Sequence, residues 1–139
     1  MQDSLGLILG LVGLISLAVT VYPVVHSAAR GRIDVNSAVG IRTKTTKQSQ
    51  HAWEIGHKAA LPYALASSLT ALILAALSVA SAIWAKSTGE SFVVAYVCLL
   101  AGFSGSFIVL LIGSAQANRS INKHGSDLSS GSDAANKGV

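Results

Sequence analysis

The sequence predicts an all-α membrane protein of three transmembrane helices, with a short amphipathic interfacial helix in the loop between the first two. Two observations carry this. Only 12% of the 139 residues are charged while 51% are hydrophobic, against about a quarter charged in a soluble domain. The charges are also segregated: no Asp, Glu, Lys or Arg occurs between Asp3 and Arg30, between Lys58 and Lys86, or between Glu90 and Arg119. A helix rises about 1.5 Å per residue and the hydrocarbon core is about 30 Å thick, so about twenty apolar residues cross it. Each gap is longer than that. A buried helix in a soluble bundle keeps a polar stripe for solvent, and LGLILGLVGLISLAVTVYPVV, residues 5–25, has none.

The first span is placed at about residues 5–26, with Tyr22 near the interface and Pro23 able to kink the last turn. Its N-terminus carries Asp3 and no basic residue, and its apolar run exceeds the about 7 to 15 residues of a signal-peptide core. It is therefore expected to be a retained anchor. The second span is placed at about 61–84, with Pro62 in its first turn, where the missing N–H is harmless, and Trp84 at the outer interface. The third is placed at about 92–117. Residues 1–117 then form one three-helix membrane domain. Residues 118–139, rich in Ser, Gly and Asn without apolar periodicity, are expected to be a disordered cytoplasmic tail. The single Cys98 allows no intrachain disulfide and reads as a small packing residue.

Small residues recur at helical spacing in all three spans: Gly6 and Gly10, then Ala64, Ser68, Ala71 and Ala75, then Gly102, Ser106, Gly113 and Ala117. Lipid tails supply no hydrophobic drive for helices to associate, so close approach at such positions is what joins them. The same faces could also serve a homo-oligomer or a foreign helix.

The basic charge sits in one place. Residues 30–58 hold Arg30, Arg32, Arg42, Lys44, Lys47 and Lys58 against Asp34 and Glu54, which equals the whole formal charge of +4. The tail adds Arg119, Lys123 and Lys137, whereas the second loop has only Lys86. Basic loops stay on the cytoplasmic side. With three spans, the first loop and the C-terminus share that side, so the expected placement is a plasma membrane with the N-terminus outside. A basic loop there meets anionic lipid headgroups, and nothing in the sequence calls for nucleic acid.

Within that loop, residues 50–60 have a helical pattern. At about 100° per residue, Ala52, Trp53, Ile55, Gly56, Ala59 and Ala60 share one face, and Gln50, His51, Glu54, His57 and Lys58 the other. Thr46 or Ser49 is placed to cap it, Glu54 and Lys58 are spaced to pair, and Trp53 is expected at headgroup level. Ahead of it, Gly40 permits a positive φ, and Asn36 and Thr43 can bond local backbone. Arg42 is either one more positive-inside charge or a guanidinium held by fixed acceptors or a lipid phosphate.

The pattern Asn36-x3-Gly40-Ile41-Arg42-Thr43-x2-Thr46-x6-Trp53-x3-His57, lying between two spans, resembles the SdpI family of bacterial membrane proteins. The chain departs from that family's usual pattern at Gln50 and His51, where acidic residues are common, and at Lys44, where an apolar residue or Pro is common. The resemblance implies a bacterial immunity-type integral membrane protein. Its best-known member protects the producing cell from a secreted killing peptide and holds a transcriptional repressor at the membrane.

Catalysis in the bilayer needs polar groups at depth, such as a Ser with a base or two carboxylates. Ser16, Ser67, Ser68, Ser78, Ser104 and Ser106 have no intramembrane base in the sequence, and they are expected to bond helix backbone. An ion-coupled transporter would show an intramembrane charge. His51, Glu54 and His57 are spaced by three, but the two histidines stand about 120° apart on a helix and zinc wants four ligands. No catalytic, metal or cofactor site is therefore expected. Two readings remain: an immunity or sensing protein whose loop contacts headgroups or a protein partner, and a non-catalytic accessory subunit of a larger membrane complex.

Overall fold

The structure is a computed structural model that describes the backbone of residues 2–136 and the side chains of residues 5–126. Three long helices account for most of it: α1 (Gln2–Ala29), α2 (Gln50–Thr88) and α3 (Val93–Asn136). A 3-10 turn at Thr46–Gln48 precedes α2. The stretches Leu5–Ala29, Gln50–Thr88 and Val93–Ser126 are each long and apolar enough to cross a membrane. The chain is an all-helical, multi-pass membrane protein.

Two features differ from the sequence expectation. A separate interfacial helix is not present: residues 50–60 form the first three turns of α2, and Pro62 lies well inside that helix rather than in its first turn. Lys58, Ala59, Ala60 and Leu61 offer no break. Pro62 removes only the bond its own N–H would make to the Lys58 carbonyl, an interruption that membrane helices tolerate. Nor does helix end with the apolar stretch, since α3 runs on to Asn136 through the segment expected to be disordered. Ala117 and Ile121, one turn apart, are both buried there and give the extension an apolar stripe. Side chains from 127 onward and residues 137–139 lie outside the described residues.

Two helix ends are closed by glycine. Gly31 (φ +71°) and Gly89 (φ +76°) take the left-handed conformation. The N–H groups of Arg32 and Glu90 then reach back to the carbonyls of Ser27 (3.0 Å) and Ala85 (2.9 Å). This is the reach-back that satisfies the last carbonyls of a helix.

The chain divides into two compact units, Met1–Pro23 with Tyr63–Leu111, and Val24–Pro62 with Ile112–Val139. The first is the apolar one. Its core joins Leu7, Leu14 and Ala18 of α1, Ala71 and Ala75 of α2, and Ala95 and Leu99 of α3. Bulky residues point the other way: Leu9, Ile73, Ile83, Leu100 and Phe107 are all more than half exposed. Small residues inside and large ones outside is the arrangement expected where lipid, not water, is the solvent.

Close approach in this unit depends on missing side chains. A Cβ on Gly10 would stand 2.8 Å from Leu99 Cδ1, and one on Gly102 would stand 2.7 Å from Leu14 Cδ2 and 3.3 Å from Leu74 Cβ. Leu14 is fully buried and has nowhere to turn. Gly102→Val should therefore cost about 2 kcal/mol, the usual range for overpacking, read as a lowered unfolding midpoint in detergent. Polar glue adds to the packing. Ser67 and Ser106 each donate to the other's carbonyl at 3.2 Å, and Ser78 donates to the Ala95 carbonyl at 2.8 Å. Ser16 bonds back to the Val12 carbonyl of its own helix at 2.7 Å. Four of the six serines thus bond backbone between or along helices as expected, whereas Ser68 Oγ is buried without a hydrogen-bond partner.

Candidate functional site: a loop locked onto the start of α2

The second unit carries the motif residues. Its foundation is the N-terminus of α2, where extended Ser49 (φ −160°, ψ 164°) accepts a bond from the Ala52 N–H through Oγ at 3.0 Å. Ser49 is thus the N-cap of the two candidates, satisfying a donor the helix itself cannot. One turn in, Trp53 and His57 at i and i+4 pack ring against ring in a tilted arrangement, with centroids 4.2 Å apart and planes at 41°, and both are fully buried. The helical pattern locates most of this face correctly, yet His57 is not on the solvated side and Trp53 is not at its surface.

What buries them is the loop. Gly40 (φ +110°) lies directly on the two rings, so that a Cβ there would fall 2.8 Å from both His57 Nε2 and Trp53 Cζ2. The next residue, Ile41, donates its N–H to His57 Nε2 at 2.8 Å, while His57 Nδ1 faces the Trp53 carbonyl at 2.8 Å. An acceptor at Nε2 and a carbonyl at Nδ1 define one tautomer, neutral with its proton on Nδ1. Burial holds this imidazole below its ordinary value of 6.5, against a smaller opposing pull from the bond to the Trp53 backbone. Both nitrogens are committed to backbone, so His57 is a structural clasp.

A second clasp follows at once. Thr46, fully buried, accepts the Thr43 N–H at 3.0 Å and donates to the Ile41 carbonyl at 2.7 Å. Thr43 Oγ1 accepts the Thr46 N–H at 3.1 Å and donates to Asn118 Oδ1 of α3 at 2.6 Å. Each hydroxyl donates once, so the set is fully satisfied. Gly56 leaves room for it, since a Cβ there would meet Thr46 Cγ2 at 2.9 Å and Ile121 Cδ1 at 3.1 Å. Thr46→Val keeps the shape and removes the hydroxyl, leaving the Thr43 N–H and the Ile41 carbonyl without partners. A loss of about 2 kcal/mol is expected, measurable as a reduced thermal midpoint.

The start of the loop is tied down as well. Asp34 Oδ1 accepts the Asn36 N–H at 2.8 Å, so the turn at Asn36 is made by the preceding aspartate rather than by the Asn36 side chain. Gln50 Oε1 accepts the Val35 N–H at 3.0 Å, and Gln50 Nε2 donates to Glu54 Oε1 at 3.3 Å. Glu54, spaced to pair with Lys58, is turned toward Gln50 and Gly31. Arg42, Lys44 and Lys47 are exposed at the rim.

Of the sequence-derived residues, Gly40, Thr43, Thr46, Trp53 and His57 come together as one interlocked unit. Asn36 contributes through its backbone, and Arg42 projects away. Asn118, Gln50, Ile121 and Gly56 are parts of the unit that the motif alone does not mark as such. Asn118 carries one signal, as the polar residue that ends the third charge-free stretch. Trp53 Nε1 is buried without a hydrogen-bond partner. Among the described residues, no three His, Cys, Asp or Glu side chains are grouped to hold a metal ion. The arrangement holds backbone in place and presents a rigid, basic rim.

No curated protein and no solved structure matches the chain significantly. The family comparison does find a match, over residues 32–117, which begins at the loop and ends at the residue before Asn118. That span includes the whole locked loop and the second and third membrane segments, so the chain belongs to the SdpI/YfhL protein family.

Proposed function

We propose that this protein is a non-catalytic immunity or sensing protein against a membrane-active peptide, with its locked loop on the cytoplasmic face of a bacterial plasma membrane. The observation that carries the reading is the convergence of five motif residues on one rigid loop whose rim is exposed and basic. A loop so thoroughly satisfied by its own bonds serves to hold a contact surface. Arg42, Lys44 and Lys47 form that surface and suit anionic headgroups or an acidic protein partner. Family membership supports the immunity role. The excess of Lys and Arg in residues 30–58 and after Asn118 supports an outside N-terminus.

The test is survival of cells lacking the gene, challenged with a panel of membrane-active peptides. Restoring the wild-type gene should restore resistance to at least one of them. Arg42→Gln, which touches no bond of the loop, should weaken that resistance without lowering protein level. Unchanged survival across the panel would overturn the reading. Repeated co-purification of one larger membrane complex in mild detergent would favour an accessory subunit in its place.

A further inference from the structure

A cleft of about 430 Å³ lies beside the locked loop, bounded by Ile55, Lys58 and Ala59 of α2 and by Ser120, Lys123 and His124 of α3. It uses none of the motif residues. Its floor is apolar, and its rim holds two ammonium groups, a hydroxyl and an imidazole. The His51 ring leans on His124, with centroids 6.2 Å apart, and brings a second imidazole to the same edge. Among the described residues, no acidic side chain lines the cleft. Both lysines are exposed, and Glu54, the acid one turn from Lys58, is engaged by Gln50.

The depth of these groups along their helices is informative. Lys58 is the last charge before the charge-free stretch 59–85, and Lys123 follows the charge-free stretch 91–118 by five residues. At about 1.5 Å per residue, both lie within about 7 Å of an apolar segment, which is the thickness of one headgroup layer. Cations over an apolar floor at that level match a molecule with a phosphate at one end and hydrocarbon at the other. A free phosphate ion would gain nothing from Ile55 and Ala59.

We propose that this cleft binds the headgroup phosphate of an anionic phospholipid, with Lys58, Lys123 and Ser120 on the phosphate oxygens and Ile55 and Ala59 against the glycerol and upper acyl chain. The assignment rests on the headgroup-level placement of the basic segment proposed above and is independent of peptide immunity. It differs from a diffuse attraction of the whole loop because it names two lysines from two helices.

The full chain is reconstituted in bilayers containing phosphatidylglycerol and phosphatidylcholine, and retained lipid is counted by native mass spectrometry. The wild type should retain phosphatidylglycerol preferentially. Lys58→Gln with Lys123→Gln should reduce that preference about thirtyfold, at the usual worth of one basic residue near an anionic surface for each. The control pair Arg30→Gln with Arg32→Gln removes the same charge from exposed positions at the start of the loop, outside both the cleft and the rim surface, and should change it less than about threefold. Equal losses in the two pairs would overturn the cleft while leaving headgroup contact by the loop intact. No preference in the wild type would overturn both. Displacement of the lipid by millimolar inorganic phosphate would assign the cleft to a free anion and overturn the lipid assignment.

Discussion

Replacing Gly40 with valine will open the loop and cost about 4 kcal/mol. Two separable effects contribute. A β-branched residue at φ +110° is strained by about 1 to 3 kcal/mol. Its side chain would also enter space already held by the His57 and Trp53 rings, 2.8 Å from each, and overpacking of that kind costs a further about 1 to 3 kcal/mol. Neither ring can give way, because both are fully buried and His57 is bonded at both nitrogens. The backbone must therefore lift. Trp53 fluorescence, recorded in a Trp84→Phe background to remove the exposed second indole, should shift to the red as the ring meets water. An unshifted spectrum with an unchanged unfolding midpoint would show that the rings do not bear on Gly40.

His57→Ala should be nearly as damaging, at about 3 to 4 kcal/mol. It removes a buried ring, opens a cavity against Trp53 and leaves the Ile41 N–H without its acceptor. The same geometry sets a pH dependence in the wild type. An unfolded imidazole takes its proton near 6.5, and the folded one only at lower pH, because burial disfavours the charge. Over that interval the open loop binds more protons than the closed one. Stability is whole above about 6.5 and falls progressively as the pH drops toward the folded value, below which it levels off. A proton on Nε2 would also point at the Ile41 N–H and replace an attraction with a clash of donors. Hydrogen exchange at Ile41, referenced to Ala52, whose amide bonds Ser49, should lose protection selectively on acidification. His57→Ala should leave Ile41 poorly protected at every pH and so abolish the pH dependence of the difference between the two amides.

The three membrane segments were legible because the bilayer imposes a long, charge-free stretch that composition displays directly. Small-residue spacing likewise pointed to the interior, where Ala64, Ala71, Ala75 and Ser106 are indeed buried. The motif loop was legible only in part. Helical periodicity identifies which residues of 50–60 share a face, but what covers that face is decided elsewhere in the chain. Trp53 is sealed by a glycine 13 positions earlier, and Thr43 is held by an asparagine 75 positions later. Periodicity also placed His57 with the polar residues because imidazole is polar. An imidazole bonded at both nitrogens to backbone is compatible with full burial. The continuation of α3 was hidden for a related reason. Asn118, Arg119, Ser120, Asn122 and Lys123 read as tail, and among the described residues of the extension only Ala117 and Ile121, one turn apart, are buried apolar side chains. Proline misled in the opposite direction, since Pro62 is well suited to a helix start and equally admissible where a membrane helix can spare one bond.

The bond between Thr43 and Asn118 sets a schedule for synthesis. Everything else that holds Thr43 and Thr46 comes from the loop and the start of α2, but Asn118 is made 75 residues after Thr43. At about 5 to 20 residues per second, that delay is roughly 4 to 15 seconds. During that interval the first clasp at His57 can close while the second still lacks its bond to α3 and Gly56 lacks its cover from Ala117 and Ile121. A nascent chain halted within the third membrane segment would carry that half-finished loop.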